Sequence, residues 1–253
     1  MPLLSSWLWL VLALLPLIFL ERWIHRHLQG IWLLLVRDAD LALILYSLLM
    51  LPGVLVHEAS HWLTATLLGV RAGRFSMVPE RLPDGTLRLG YVETEHVDPV
   101  REALIGAAPL LAGAAVIIFV GYSRLGVETL GQALGRGDLL GMGQAVGEMT
   151  ARPNFWLWLY LVFTVANSML PSASDRRAWW PVLATLALLT VLLFAFGLGP
   201  ALLQALGNPL DTATRALAAA FSITVGLNLV FAPVLWLLER GLIRVTGMEV
   251  KYE

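Results

Sequence analysis

The sequence contains no cysteine and few charged residues. Of its 253 residues, 14% are charged and 58% are hydrophobic, and the mean hydropathy is +0.76. A soluble domain would carry about a quarter charged residues. The lack of cysteine excludes disulfides and thiolate ligands, so any transition metal would need His, Asp or Glu. The net charge of −1 gives no basis for nucleic-acid binding.

The apolar residues are concentrated in long blocks, which is the pattern of helices that cross a lipid bilayer. Six spans are predicted, over residues 3–20, 41–70, 104–122, 155–170, from 179 until the pattern weakens at 197–200, and 216–238. A further piece, 31–36, is too short to cross and is expected at the interface. We therefore predict an all-α polytopic membrane protein in which residues 1–253 form a single membrane-embedded domain.

The first apolar block resembles a signal peptide in length but lacks the other features of one. No Lys or Arg precedes it, and no small-residue cleavage site follows before Glu21. We interpret it as a retained membrane span.

Two connecting segments are predicted to lie outside the hydrocarbon core. Residues 71–101 contain alternating stretches at 74–78 and 87–92 around a Pro-Asp-Gly-Thr turn at 83–86, which predicts a small β-hairpin after the second span. Residues 124–152 are glycine-rich and weakly patterned, so we expect a loop with room for an interfacial helix.

The distribution of basic residues predicts the orientation. With six spans, both termini lie on one side, and ten of the 17 Lys and Arg residues fall on that side. The excess favours cytoplasmic termini. Arginine outnumbers lysine 16 to one, a bias typical of GC-rich genomes. We expect an integral protein of a bacterial plasma membrane.

The second span contains the motif His57-Glu58-Ala59-Ser60-His61. Residues four apart share a face of a helix, so both imidazoles can face one metal ion. Glu58 can then act as general base toward a water whose pKa zinc lowers to about 7. The alternative is a structural polar cluster. Ionisable residues at membrane depth cost free energy and usually serve a function, which favours the metal site.

A zinc site needs a third protein ligand. The remaining histidines are His25, His27 and His96. Asp175 follows the fourth span, which crosses in the same direction as the second, so Asp175 and the His pair are expected on the same side of the membrane. The alternative is an interfacial carboxylate paired with Arg176 or Arg177, and the sequence pattern alone leaves both open.

An intramembrane His-Glu-x-x-His, followed by a span that ends in Asn167 with an Asp eight positions later, resembles the site-2 protease family of zinc metallopeptidases. The resemblance covers span two through Asp175. It implies that His57, His61 and Asp175 bind Zn²⁺, that Glu58 is the general base, and that Asn167 helps position the substrate or the oxyanion. The stretch 106–113 is similar to the family's small-residue Gly-Pro segment.

The sequence departs from that family pattern at two places: Arg176 stands where glycine is usual, and only Pro171 lies between Asn167 and Asp175. We expect no PDZ or other accessory domain in this sequence. The implied function is an intramembrane zinc metalloprotease that cleaves transmembrane protein substrates. The exposed edge of the hairpin 71–101 could hold a substrate extended, or the hairpin could be a plain connection.

The alternative functions are a non-catalytic scaffold, a metal-binding or transport protein with a degenerate site, and a metallopeptidase whose third ligand is Glu. A transporter would be expected to spread ionisable residues along several spans. Here they are concentrated in one motif, which favours a fixed site. The pattern does not indicate an oligomeric state.

Overall fold

The computed structural model describes residues 2–81, 87–248 and 250, and most of them are helical. The helices are α1 (Pro2–Val36), α2 (Ala39–Leu67), α3 (Pro99–Val120), α4 (Val127–Arg136), α5 (Leu139–Thr150), α6 (Phe155–Ala166), α7 (Trp179–Ala195) and α8 (Gly199–Thr246). A π-helical turn, Gly121–Leu125, extends α3. The strands are β1 (Ala72–Ser76), β2 (Glu80–Arg81), β3 (Leu87–Arg88) and β4 (Tyr91–Thr94).

Four helices in the described part of the chain are long and apolar enough to cross a membrane. They are Leu4–Val36, Ala39–Leu67, Pro99–Leu125 and Gly199–Thr246. The other two apolar helices, α6 and α7, have 12 and 17 residues, below the roughly 20 that a hydrocarbon core requires. The polytopic all-α class is therefore supported, while the count of six spans is not confirmed.

The first helix is longer than the sequence pattern predicted. Residues 31–36 are not a separate interfacial piece, because α1 continues without a break through Val36. Polar side chains in its second half find partners on other helices: His25 bonds Tyr46 of α2, and His27 bonds Glu239 of α8. These contacts let the helix continue through a polar stretch.

The segment 124–152, predicted as a loop with room for an interfacial helix, forms the two short helices α4 and α5 over most of its length. Gly126 and Gly137 adopt φ values of +73° and +67° at the ends of α4, a conformation that favours glycine. Asp138 caps α5 by accepting a hydrogen bond from the Gly141 amide at 2.9 Å. The glycines that suggested a loop thus include the two that bound a short helix.

The predicted hairpin is present. Strand β1 pairs antiparallel with β4, with Ala72 opposite Thr94 and Ser76 opposite Tyr91. Strands β2 and β3 pair beyond them, and the predicted turn 83–86 lies outside the described residues. The hairpin follows α2 directly and therefore lies at the end of the bundle where α2 ends.

Hydrogen bonds between helices establish their relative directions. The Tyr160 hydroxyl on α6 donates to the carbonyl of Leu49 on α2 at 2.8 Å, and His57, further along α2, bonds the carbonyl of Ser168 just after α6, so α2 and α6 run parallel. Ser6 bonds Asp211, and His27 bonds Glu239, so α1 and α8 also run parallel. Helix α8 therefore ends at the opposite end of the bundle from the start of α1. This differs from the six-span expectation, in which both termini share a side.

Candidate metal centre

Both histidines of the motif lie in the C-terminal half of α2, on one face of the helix. Their ring centroids are 4.9 Å apart, and their Nε2 atoms are 3.2 Å apart. The side chains are 14% and 10% exposed for His57 and His61. The spacing of four residues produces this convergence, as expected for a helix.

Two backbone carbonyls orient the imidazoles. Nδ1 of His57 donates to the carbonyl of Ser168 at 2.6 Å, and Nδ1 of His61 donates to the carbonyl of Ile105 at 2.9 Å. Because a carbonyl oxygen only accepts, each Nδ1 must carry the proton. In the neutral form of each ring, Nε2 is then an unprotonated lone-pair donor. Metal-bound histidines show this arrangement, in which the other ring nitrogen is fixed by a hydrogen bond.

Asp175 is brought to the two histidines by the loop that follows α6. Its Oδ1 lies 3.4 Å from Nε2 of His61, and its Oδ2 lies 3.8 Å from Nε2 of His57. The backbone amide of Ser172 donates to Oδ2 at 2.7 Å and orients the carboxylate. Among the described residues, Asp175 forms no ion pair with Arg176 or Arg177, and Arg176 instead donates to the Ser172 carbonyl.

The carboxyl group of Asp175 is ionised at neutral pH. Burial alone would raise its pKa, but the contacts with His57 and His61 and the hydrogen bonds from Ser172 outweigh burial and hold that pKa at about 2. The loop therefore presents a negatively charged oxygen ligand to the histidine pair.

With both imidazoles neutral, three ligand atoms that can only accept face one another. One ligand atom from each of His57, His61 and Asp175 lies within 4.8 Å of the others, so this group could hold a metal ion. A single proton can bridge only two of these atoms, whereas a divalent cation contacts all three. Two ligands of tetrahedral zinc at 2.0–2.1 Å are about 3.3 Å apart. The 3.2 Å separation of the two Nε2 atoms and the 3.4 Å separation of His61 Nε2 from Oδ1 are close to that value, while the contact of His57 is with the other carboxylate oxygen, Oδ2, and is wider at 3.8 Å.

Glycines allow the loop after α6 to approach so closely. A Cβ at Gly106 of α3 would overlap the backbone carbonyl of Asp175, and a Cβ at Gly53 of α2 would overlap that of Thr164. At Gly113 the collision would be with the Met169 side chain. Small residues at contacts between membrane helices let backbones meet. The stretch 106–113, selected from sequence for its small residues, thus lies against the polypeptide that carries Asp175.

Glu58 is buried next to the metal-ligand group and is not a member of it. The hairpin covers it: a Cβ on Gly90 would lie 3.1 Å from Cγ of Glu58 and 3.0 Å from Cγ1 of Val54. Glycine at this position lets the backbone before β4 lie close to α2, because a Cβ there would be in tight contact with both side chains. The predicted general base is therefore enclosed between α2 and the hairpin.

Asn167 is also close to the site, but its amide is occupied by protein partners. Its Nδ2 donates to the carbonyl of Phe163 at 2.9 Å and to Oδ1 of Asn228 at 3.0 Å, and Asn228 returns a bond at 2.9 Å. Both N–H groups are thus used within the protein. The geometry suits a positioning role for Asn167, and the predicted oxyanion contact stays a prediction. Asn228 joins α8 to the residue that follows α6.

The other histidines lie outside the metal-ligand group. His25 donates from Nε2 to the Asn167 carbonyl at 2.8 Å, His27 bonds Glu239, and His96 contacts Glu102 with its side chain 97% exposed. His25 of α1 therefore holds the residue that follows the C-terminal end of α6.

Sequence reasoning missed the groups that orient the ligands. The carbonyls of Ser168 and Ile105 and the amide of Ser172 belong to the backbone, and no side-chain pattern identifies them. The one available signal was the stretch 106–113, because small residues mark close contacts.

No family model matches this sequence, and comparisons with curated proteins and with solved structures give no significant match. The geometry of the metal-ligand group and the His57–His61 motif are therefore the features that indicate a function.

Proposed function

We propose that this protein is an intramembrane zinc metalloprotease that hydrolyses peptide bonds in or near transmembrane segments of membrane-protein substrates. The observation that supports it most is the convergence of two imidazole Nε2 atoms, whose rings are both oriented through Nδ1, and one carboxylate, with a buried Glu58 beside them. Three ligands that leave a fourth position open are typical of catalytic zinc sites.

Each residue has a distinct task in this proposal. His57, His61 and Asp175 would hold Zn²⁺, which when bound polarises a peptide carbonyl and makes water acidic. Glu58 accepts a proton from the water that attacks the carbonyl carbon. It then delivers that proton to the nitrogen of the leaving amine as the C–N bond breaks. Enclosure of Glu58 under the hairpin limits competing solvent around the base.

The hairpin also suggests how a substrate is presented. Peptide bonds inside a helix are shielded, so a transmembrane substrate must unwind before cleavage. Strands β1 and β4 lie at the end of α2, beside the metal-ligand group, and a strand edge can hold an extended peptide by main-chain hydrogen bonds. This location favours an extended stretch of substrate close to Glu58.

The first test measures zinc and proteolysis in the same purified samples. We expect about one zinc per wild-type chain, retention of that zinc in Glu58→Gln, and its loss in Asp175→Ala. The proteolysis probe is a detergent-solubilised single-span membrane protein with a fluorescent tag at each end. Removal of a general base lowers the rate at least about 100-fold, so Glu58→Gln should leave the probe uncleaved.

Matched controls separate the site from general damage. Asp40→Ala changes an exposed aspartate on α2, and His96→Ala changes the exposed histidine of the hairpin segment; both should keep zinc and activity. Cleavage at the wild-type rate by Glu58→Gln would disprove the assigned mechanism. A folded wild type that takes up no added zinc would favour the scaffold alternative.

A further inference from the structure

A cavity whose lining includes two arginines lies away from the metal centre, where the π-helical turn meets the start of α6. Its volume is about 190 Å³, and it is lined by Ser123, Arg124, Arg152, Pro153, Asn154 and Trp158. This volume corresponds to roughly six water molecules, which is enough for a phosphate group and its immediate substituents.

Two guanidinium groups give this cavity its charge. Arg124 stacks over the ring of Trp158 at 5.2 Å, and Arg152 lies against Gly126, whose missing side chain leaves room for it. In the part of the chain that the structure describes, neither arginine has a carboxylate within ion-pair distance, although Arg101 and Arg215 both do. Two converging positive charges without a protein counter-ion favour an anionic ligand.

The cavity lies at the opposite end of the bundle from the metal centre. Helix α3 starts near His61, whose Nδ1 bonds the carbonyl of Ile105, and the π-helical turn follows its other end. Val120 lies 15 residues after Ile105 in α3, a rise of roughly 22 Å. The cavity is therefore separate from the proposed active site.

The surroundings of the cavity are those of a membrane interface. Helices α4 and α5 follow the π-helical turn, are short, and leave large apolar side chains uncovered. The most exposed of these are Leu134, Leu139 and Leu140, at 63%, 79% and 82% exposure. Trp156, near the start of α6, is 73% exposed. Short helices with one apolar face lie in the headgroup region of bilayers, and tryptophan is enriched there.

We propose that Arg124 and Arg152 form a binding site for the phosphate of an anionic phospholipid headgroup. Arginine matches phosphate with paired N–H donors, and basic pockets beside membrane helices bind anionic lipids. Asn154 begins α6 at the cavity, so the positive end of that helix adds to the potential of the two guanidinium groups. The apolar surface of α4 and α5 is then available to the acyl chains.

The test is native mass spectrometry of the full-length protein purified in detergent and titrated with phosphatidylglycerol. Wild type is compared with Arg124→Gln, Arg152→Gln and the double variant. Loss of one charged hydrogen-bonding partner weakens binding roughly tenfold, so the double variant should lose most lipid adducts. Arg136→Gln, at the end of α4 outside the cavity, is the matched control and should bind within about twofold of wild type.

Two further arms define the ligand. Phosphatidylcholine with the same acyl chains should bind more weakly than phosphatidylglycerol, and equal binding would overturn the anionic selectivity. Inorganic phosphate or glycerol phosphate in millimolar excess should not displace the lipid, and full displacement would overturn the lipid assignment in favour of a free-phosphate site. Unchanged lipid binding by the double variant would also overturn the proposal.

If that variant is not monodisperse, Arg124→Lys and Arg152→Lys retain the charge, and weaker binding than wild type is expected from lost paired donors.

Discussion

At the scale of single residues, two backbone carbonyls decide the chemical character of the histidine pair. The i, i+4 spacing places His57 and His61 on one face of α2, but it does not select which ring nitrogen carries the proton. The carbonyls of Ser168 and Ile105 make that selection by accepting from Nδ1. Both Nε2 atoms therefore remain free to bind a cation beside Asp175.

The reciprocal amide pair of Asn167 and Asn228 is a second residue-scale feature, and it can be tested by a double-mutant cycle. We expect Asn167→Ala, Asn228→Ala and the double variant to show a coupling free energy of about 0.5–1.5 kcal/mol in unfolding, as buried polar pairs in membrane proteins do. Denaturant unfolding of the detergent-solubilised protein, followed by tryptophan fluorescence, measures it. Additive effects of the two single variants would contradict the pairing.

Activity measurements on the same variants distinguish positioning from a direct oxyanion contact by Asn167. If Asn167 acts by holding the end of α6, Asn228→Ala should lower kcat to a similar degree, because it removes the same pair. A large loss confined to Asn167→Ala, with zinc retained, would instead support the oxyanion contact.

At the scale of elements, close backbone packing delivers the third ligand. Asp175 lies on a loop rather than a helix, so its place depends on what the loop can approach. Gly106 of α3 leaves space for the Asp175 carbonyl, and Trp179 at the start of α7 donates to the carbonyl of Ala103 at 3.2 Å. The loop is thus held against α3 on both sides of the ligand.

Gly106→Ala should weaken metal binding without altering any ligand. The added Cβ overlaps the Asp175 carbonyl, so the loop must shift away from His57 and His61, at a cost of about 1–3 kcal/mol. We expect the zinc Kd to rise roughly 10- to 100-fold, measured by competition with a fluorescent chelator. Gly226→Ala, in α8 with open space around its Cβ position, is the control and should leave the Kd unchanged. Equal Kd values for both variants would contradict this role of Gly106.

At the scale of the whole molecule, the parallel packing of α1 and α8 sets the topology. Contacts between them run from Ser6–Asp211 to His27–Glu239, so the two helices cross the bundle in the same direction. Helix α8 spans roughly 72 Å, far more than one bilayer core, so its N-terminal part extends past the apolar segment. The start of α1 and the end of α8 thus lie at opposite ends of the bundle.

Cysteine labelling tests this arrangement, and the absence of native cysteine makes the assay clean. Leu4→Cys and Val245→Cys replace exposed residues at the start of α1 and the end of α8. In sealed membrane vesicles, a membrane-impermeant maleimide should label only one of the two before detergent is added. Gly143→Cys on α5 should share the accessibility of Leu4→Cys, because the π-helical turn that leads to α4 and α5 lies beside Ile223 of α8, close to the bond between Trp9 and Ser222, whereas the end of α8 lies beyond the contact of Glu239 with His27. Equal labelling of Leu4→Cys and Val245→Cys would instead support the six-span topology with both termini on one side.

The sequence by itself was sufficient for the properties that depend on local pattern. Composition indicated the membrane class, alternation and turn residues predicted the hairpin, and the spacing of His57 and His61 predicted their shared face. These features repeat within a few residues, because helix and strand periodicity act over short distances. The same local reasoning was wrong about 31–36 and underestimated the helix content of 124–152. Contacts of His25 and His27 with other helices accompany the continuation of α1 through residues 31–36. In 124–152, Gly126 and Gly137 bound a short helix.

Only the tertiary structure decided how distant segments combine. The sequence left open whether Asp175 joins the histidines or pairs with a neighbouring arginine. The close approach allowed by Gly106 and the amide of Ser172 place it with the histidines. The ring tautomers, the Asn167–Asn228 pair and the arginine cavity likewise involve residues far apart in sequence. The type of a side chain limits the contacts that a residue can make. The packing of the helices determines which of these contacts form.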